Sequence, residues 1–114
     1  MKLVLKSNHT AASLQEAFTK LFPRLSLHLF KMPHAKGEGS PKAERALPQS
    51  LLAEWLEVDE VTVELHPKMT VGELEAKLQE HGIFAQVFRK SGDLWLETTR
   101  TDGWTLERVN EESY

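Results

Sequence analysis

Residues 61–104, VTVELHPKMTVGELEAKLQEHGIFAQVFRKSGDLWLETTRTDGW, decide the fold. From Val61 to Leu65, apolar and polar side chains alternate, and this period of two predicts a half-buried strand. Thr70 stands three residues before Glu73, which is the capping-box pattern that begins many helices. The stretch therefore opens as a strand followed by a helix.

Two strand-like runs on either side of Ser91-Gly92 predict a hairpin. A two-residue loop pairs Phe88 with Trp95, whereas a three-residue loop with a glycine bulge shifts that pairing by one residue. We favour the two-residue loop because it gathers the aliphatic side chains on one face. These aliphatic residues are Ile83, Ala85, Val87, Leu94 and Leu96. The opposite face then carries Phe84, Phe88 and Trp95 among polar side chains.

The N-terminal part of the chain repeats the first half of this stretch. A strand over residues 2–6, a helix capped by Thr10 and a second strand follow one another in the same order. Thr10 aligns with Thr70, and after a two-residue deletion His28 aligns with Gln86. Such internal similarity indicates a duplicated β-α-β unit.

The sequence predicts one domain, 1–114, built from these two repeats. The first β-α-β unit spans 2–31, and the second, with a hairpin strand and a C-terminal helix, spans 61–114. Between them, 32–46 is polar and rich in proline and glycine, which predicts a flexible loop. Residues 47–57 read as a short helix, with Pro48 in its first turn.

The fold class that follows is α+β, with the duplicated β-α-β units joined in one sheet. A ferredoxin-like arrangement is the favoured form, and two ubiquitin-like halves packed together are the alternative. In either form, parallel strands within a unit should cross over right-handed.

Four short segments carry a resemblance to known proteins: TVGEL at the helix start, VFRKSG at the hairpin, WLET in the next strand and WTL after it. On these segments, residues 61–107 resemble a group of small uncharacterised bacterial proteins with a duplicated strand-helix-strand layout. No activity is assigned to that group, so the resemblance implies architecture.

Composition excludes several classes of protein. The chain has no cysteine, which rules out disulfides and thiolate chemistry and suits a reducing cytoplasm. No apolar run approaches the roughly 20 residues of a membrane-spanning helix, so we expect no membrane partner. The net charge of −3 argues against nonspecific nucleic-acid binding, which needs a basic surface.

No catalytic or cofactor motif is present in the sequence. The five histidines lack the HExxH spacing of zinc enzymes, and no glycine-rich phosphate loop or GxSxG elbow occurs. We therefore expect no metal, no cofactor and no catalytic residue. An acidic run could supply paired carboxylates, but charge runs are usually solvated surface. That run comprises Glu54, Glu57, Asp59, Glu60 and Glu64.

Aromatic side chains on the less apolar strand face are the candidate binding residues. These candidates are Phe30, Phe84, Phe88, Trp95 and His28. Aromatic residues are enriched at protein interfaces, so the sequence favours a non-enzymatic protein-interaction or assembly module, with self-association included. One alternative is a small enzyme or ligand-binding domain whose site assembles only in the fold, for which His28 beside Glu64 would be a sign. Another is that 47–56 and 104–109 cover this face, making it core.

Overall fold

The computed structural model describes residues 1–30, 46–92, 94–97 and 103–112, with the side chains of Trp95 and Glu97 outside the description. The predicted loop over 32–46 thus lies outside the described residues, except for Ala46. These residues form, in chain order, β1 (Lys2–Lys6), α1 (Ala11–Leu21), β2 (Leu25–Phe30), a 3₁₀ helix (Leu52–Glu54), β3 (Glu60–Glu64), α2 (Val71–Glu80), β4 (Phe84–Ser91), β5 (Leu94–Glu97) and α3 (Leu106–Glu111). The β-α-β order occurs twice, and the predicted α+β class is confirmed.

The strands of the described ranges form two antiparallel sheets rather than the single sheet we predicted. β1 pairs with β3, and β4 lies between β2 and β5. The favoured ferredoxin-like arrangement is therefore not found among the described residues, and the crossover rule does not apply, because β1 and β2 belong to different sheets. The alternation of side chains fixes which face of a strand is buried but not which strands are neighbours.

A threonine caps each α-helix of the described residues, at Thr10 and Thr70 as the sequence predicts and also at Thr105. Thr70 Oγ1 accepts from the Glu73 amide at 3.1 Å, and Glu73 Oε1 accepts from the Thr70 amide at 3.5 Å, so the capping box is present. Thr10 and Thr105 accept in the same way, each at 3.1 Å, from the amide three residues ahead. Each cap satisfies an amide that would otherwise lack a partner at a helix start.

A further likeness between the two units extends beyond β-α-β. Thr10 forms an isolated bridge with Leu51, and Thr70 forms one with Thr105, so each cap contacts the start of a short helix that comes after the β-α-β segment containing the cap. Three matching backbone hydrogen bonds flank each bridge. Around the first bridge they run from Ala11 N to Ser50 O, from Leu52 N to His9 O and from Ala53 N to Ser7 O. Around the second they run from Val71 N to Trp104 O, from Leu106 N to Met69 O and from Glu107 N to Pro67 O.

The helix expected over 47–57 is limited to the 3₁₀ turn Leu52–Glu54. Its late start follows from the bridge to Thr10, which holds Leu51 in an extended conformation beside the start of α1. A helix cannot begin until the chain leaves that bridge. Leu52, the first residue after it, is fully buried.

The hairpin has a different register from the one we favoured. Ser91 pairs with Leu94, and Phe88 lies opposite Glu97 rather than Trp95. Gly92 has φ +61°, a left-handed conformation that glycine adopts at little cost. The tight turns that suit hairpins need positive φ at their first loop residue, so placing Gly92 there, rather than Ser91, avoids a strained serine.

The main core lies between the helices and the inward faces of both sheets. It includes Leu3 and Val63 from the two-stranded sheet and Leu27 and Val87 from the three-stranded sheet. Phe30 and Phe88 are buried but do not belong to this cluster, since they project from the other face of β2 and β4. No helix of the described ranges is long and apolar enough to cross a membrane.

Candidate functional site

The predicted aromatic face is formed by three neighbouring residue pairs of the β2–β4 ladder. From one end to the other, Ser26 lies opposite Phe88, His28 opposite Gln86, and Phe30 opposite Phe84. The His28 and Phe88 rings meet edge to face, with centroids 4.6 Å apart. The fold thus brings four of the five candidate residues together, as the sequence predicts, while the side chain of Trp95 lies outside the description.

The centre of this face is not open. Phe30 is 0% exposed and Phe88 is 5% exposed, whereas Phe84 and His28 are half-buried. Exposed aromatic rings were the feature that favoured an interface on this face, and two of the rings are inside the protein. The role of these residues in binding stays a prediction.

A polar cluster that the sequence did not indicate borders the same face. The Gln15 Nε2 amide donates to Ser26 Oγ at 2.8 Å, and Ser26 Oγ lies 3.2 Å from His28 Nε2. Ser26 also lines a cavity of about 520 Å³ beside α1, the α1–β2 groove. Its other lining residues are Ala12, Gln15, Glu16, Thr19 and Lys20. A serine hydroxyl linked to an imidazole can bind a small polar molecule.

Glu75 is a second buried polar residue that we did not single out. Its Oε2 accepts from the backbone amide of Val87 at 2.9 Å, which ties α2 to β4. The signal was present in the sequence, because Glu75 lies within the apolar stripe formed by Val71, Leu74 and Leu78. A carboxylate in such a stripe needs a hydrogen-bond donor inside the protein.

The second surface of interest is the outer edge of β3. Met1 and Leu65 exchange both backbone hydrogen bonds, and the Ser7 amide donates to Asp59 O. Hydrogen-bonded and non-hydrogen-bonded pairs alternate along an antiparallel ladder. The backbone groups of Glu60, Thr62 and Glu64 therefore point away from β1. Within the described residues, β3 pairs with β1 alone, so this edge has no second strand.

Two adjoining cavities, of about 370 and 320 Å³, lie between β3 and the end of α2, and together they form the β3–α2 groove. Glu80 and His81 line both cavities, which makes the groove continuous. The first is also lined by Trp55, Leu56, Glu57, Val58, Val61, Gln79 and Gly82, and the second by Thr62, Val63, Glu64 and Lys77. The groove thus combines an apolar part with a strand edge.

Acidic side chains surround the β3–α2 groove. Glu57, Glu64 and Glu80 are all exposed, and they belong to the groove lining. Lys77 Nζ donates to the backbone oxygen of Glu64 at 3.3 Å rather than to a carboxylate. The acidic run that we interpreted as solvated surface is exposed along its whole length, and two of its members, Glu57 and Glu64, line this groove.

We expected His28 beside Glu64 if the protein were an enzyme. His28 lies on β2 and Glu64 on β3, and these two strands belong to different sheets. Within the described ranges, no three His, Asp or Glu side chains converge to hold a metal ion.

Comparisons with protein-family models, curated proteins and solved structures find no match for the chain. The resemblance to small bacterial proteins stays a prediction.

Proposed function

We propose that this protein is a non-enzymatic interaction module that binds an extended segment of another protein along the outer edge of β3. The observation that carries the proposal is the row of backbone groups at Glu60, Thr62 and Glu64 that point away from β1, of which Thr62 and Glu64 line the β3–α2 groove. Unpaired strand edges bind peptides by continuing the sheet, with main-chain hydrogen bonds providing affinity. A location in the cytoplasm and the lack of a nucleic-acid partner belong to the same proposal.

β3 itself carries no lysine, proline or bulge, although Lys77 of α2 bonds one backbone oxygen of its outer edge, that of Glu64. Natural edge strands are protected by charged side chains, above all lysine, by proline, by a bulge or by a covering helix. β3 has the sequence EVTVE and pairs with β1 without a break in register. Beside it, Val58 is 55% exposed and Trp55 is half-buried, so the groove offers apolar area to an incoming side chain. Backbone pairing and apolar contact together are what a peptide-binding groove needs.

The test compares two exposed valines. Val58→Asn removes apolar area from the β3–α2 groove without adding charge, whereas Val4→Asn makes the same change on β1, outside that groove; Val4 is 43% exposed. We expect a partner captured from lysate by the wild type to be retained by Val4→Asn and weakened by Val58→Asn. The same partner should slow hydrogen exchange at the amides of Glu60, Thr62 and Glu64. Equal capture by both variants, without protection at β3, would contradict the proposal.

The Ser26–His28 contact favours a second candidate, a small-ligand site in the α1–β2 groove. We infer that its ligand would be polar, because the Ser26 hydroxyl and the Gln15 amide meet at its floor. A fragment screen by ligand-observed NMR should find binders that Ser26→Ala weakens and that Val58→Asn leaves unchanged. If no fragment responds to Ser26→Ala, the cluster serves packing alone.

A further inference from the structure

We infer that the segment bound by β3 is a basic strand in which lysines alternate with apolar residues, lying antiparallel to β3 as β1 does. This inference rests on the proposed function and specifies the chemistry of the partner. It follows from two features of the molecule: the strand already paired with β3, and the charge around the opposite edge.

β1 shows which sequence pattern β3 accepts. Its sequence KLVLK places Lys2 opposite Glu64 and Lys6 opposite Glu60, while Leu3 and Leu5 are buried in the core. Cross-strand pairs of opposite charge stabilise a sheet, and like charges directly opposite destabilise it. The side chains of β3 stand between its two edges, so a strand on the outer edge meets the same row of carboxylates that β1 meets.

The carboxylates of β3 remain available to a second strand. Lys6 Nζ lies 4.0 Å from Glu60 Oε1, and both side chains are about half exposed, so solvent screens this contact and it neutralises little charge. Glu64 has its backbone oxygen, not its carboxylate, bonded to Lys77. A lysine on the incoming strand can therefore approach either glutamate.

The opposite wall of the groove also carries negative charge. Glu80 is exposed in the last turn of α2, and Glu57 is exposed across the groove. The carbonyl groups at the C-terminal end of a helix add a partial negative charge, which favours cations. Lys77 opposes this field and occupies the Glu64 oxygen that a new strand would use. Among the described residues, three carboxylates line the groove, those of Glu57, Glu64 and Glu80, against one lysine, so a basic segment is favoured over an acidic one.

Inward-facing side chains of the new strand also have a place to bind. In β1 these are leucines, and the β3–α2 groove offers apolar area at Trp55, Val58 and Val61, next to a polar part lined by Lys77, Glu80 and His81. The outward positions are therefore matched by charge, and the apolar part of the groove can take an inward side chain. The pattern expected of the partner is Lys, apolar, Val or Thr, apolar, Lys.

The experiment titrates the ¹⁵N-labelled full chain with a peptide of the β1 sequence, MKLVLKS, and with its charge-reversed form, MELVLES. We expect the basic peptide alone to shift the amides of Glu60, Thr62 and Glu64, with an affinity that falls as salt is added. Glu64→Gln combined with Glu80→Gln should weaken binding about three- to tenfold, the range for surface charge pairs. Lys77→Gln should strengthen it, because that change removes a like charge and frees the Glu64 oxygen.

The control variant is Glu16→Gln, which removes a carboxylate from the α1–β2 groove and should leave peptide affinity unchanged. Equal or tighter binding of the acidic peptide at β3 would overturn the basic-strand inference and leave the proposed function standing. Shifts at β1 amides instead of β3 would overturn it as well. Shifts at β3 that depend on protein concentration without peptide would assign the edge to a second copy. If neither peptide binds and no captured partner protects β3, the proposed function itself fails.

Discussion

His28 and Gln86, which the sequence alignment places at equivalent positions of the two units, lie directly opposite each other in the β2–β4 ladder. Leu3 and Val63, separated by the same number of residues as the caps Thr10 and Thr70, face each other in the β1–β3 ladder. In an antiparallel pair, two equivalent residues that face each other mark a local twofold axis. Both ladders between the units are therefore centred on equivalent residues. Each unit contributes one strand to the β1–β3 sheet, and in the other sheet β2 of the first unit pairs with β4 of the second, which β5 of the second unit extends.

Because each sheet combines strands from both units, neither unit should fold without the other. A fragment ending at residue 57 lacks the partners of both β1 and β2, and it exposes core residues such as Leu3 and Leu27. We expect the fragments 1–57 and 58–114 to be unfolded separately and to recover cooperative unfolding when mixed. Circular dichroism and dispersion of amide NMR signals measure this. A cooperative transition in either fragment alone would contradict the twofold arrangement.

Phe88 tests whether the aromatic face is core or contact surface. Because its ring is 5% exposed and contacts the His28 imidazole, Phe88→Ala should cost about 3–5 kcal/mol, the usual range for truncating a buried aromatic. Urea denaturation gives the free energy of unfolding. The matched change is Leu94→Ala, since Leu94 is 66% exposed, and we expect it to cost much less. Unchanged stability in Phe88→Ala, with altered association, would return this face to the interface hypothesis.

Much of the fold could be predicted from local patterns. The capping box at Thr70 is a local sequence signal, and α2 begins where it predicts. The likeness of the two units also predicted that His28 and Gln86 are equivalent. Sheet membership could not be predicted, because alternation gives no information on strand neighbours.

The candidate site was less predictable, because it depends on contacts between distant residues. The sequence around Phe30 and Phe88 fits two arrangements: a strand with one exposed aromatic face, or a strand buried on both faces. In the structure, β2 and the first part of β4 are buried on both faces. The groove beside β3 depends on α2 ending near Trp55, far away in sequence. Only the acidic run beside the groove was visible beforehand.

Gly82 provides a sharp test of how α2 is joined to the rest of the fold. Its φ is +83°, and a Cβ there would lie 2.7 Å from the carbonyl oxygen of Trp55. Gly82→Ala should cost about 2–4 kcal/mol, combining left-handed strain with a backbone clash. Gly92 also has positive φ but open space around it, so Gly92→Ala should cost about 1–2 kcal/mol. Thermal and urea denaturation give the free energy of unfolding of both variants, and the extra loss in Gly82→Ala measures the clash with Trp55. Equal losses in the two variants would mean that the Trp55 segment moves aside.

Glu75 tests whether a buried carboxylate holds α2 against the sheet. Its Oε2 accepts from the Val87 amide, and the side chain is 8% exposed. Glu75→Ala removes that acceptor and should cost about 1–3 kcal/mol, the range for a buried donor that loses its partner. Glu75→Gln keeps a carbonyl oxygen of the same reach, so we expect a smaller loss. Hydrogen exchange at Val87 should quicken in Glu75→Ala more than in Glu75→Gln. If the two variants lose equal stability and Val87 stays protected in both, the carboxylate acts through its charge and not through this hydrogen bond.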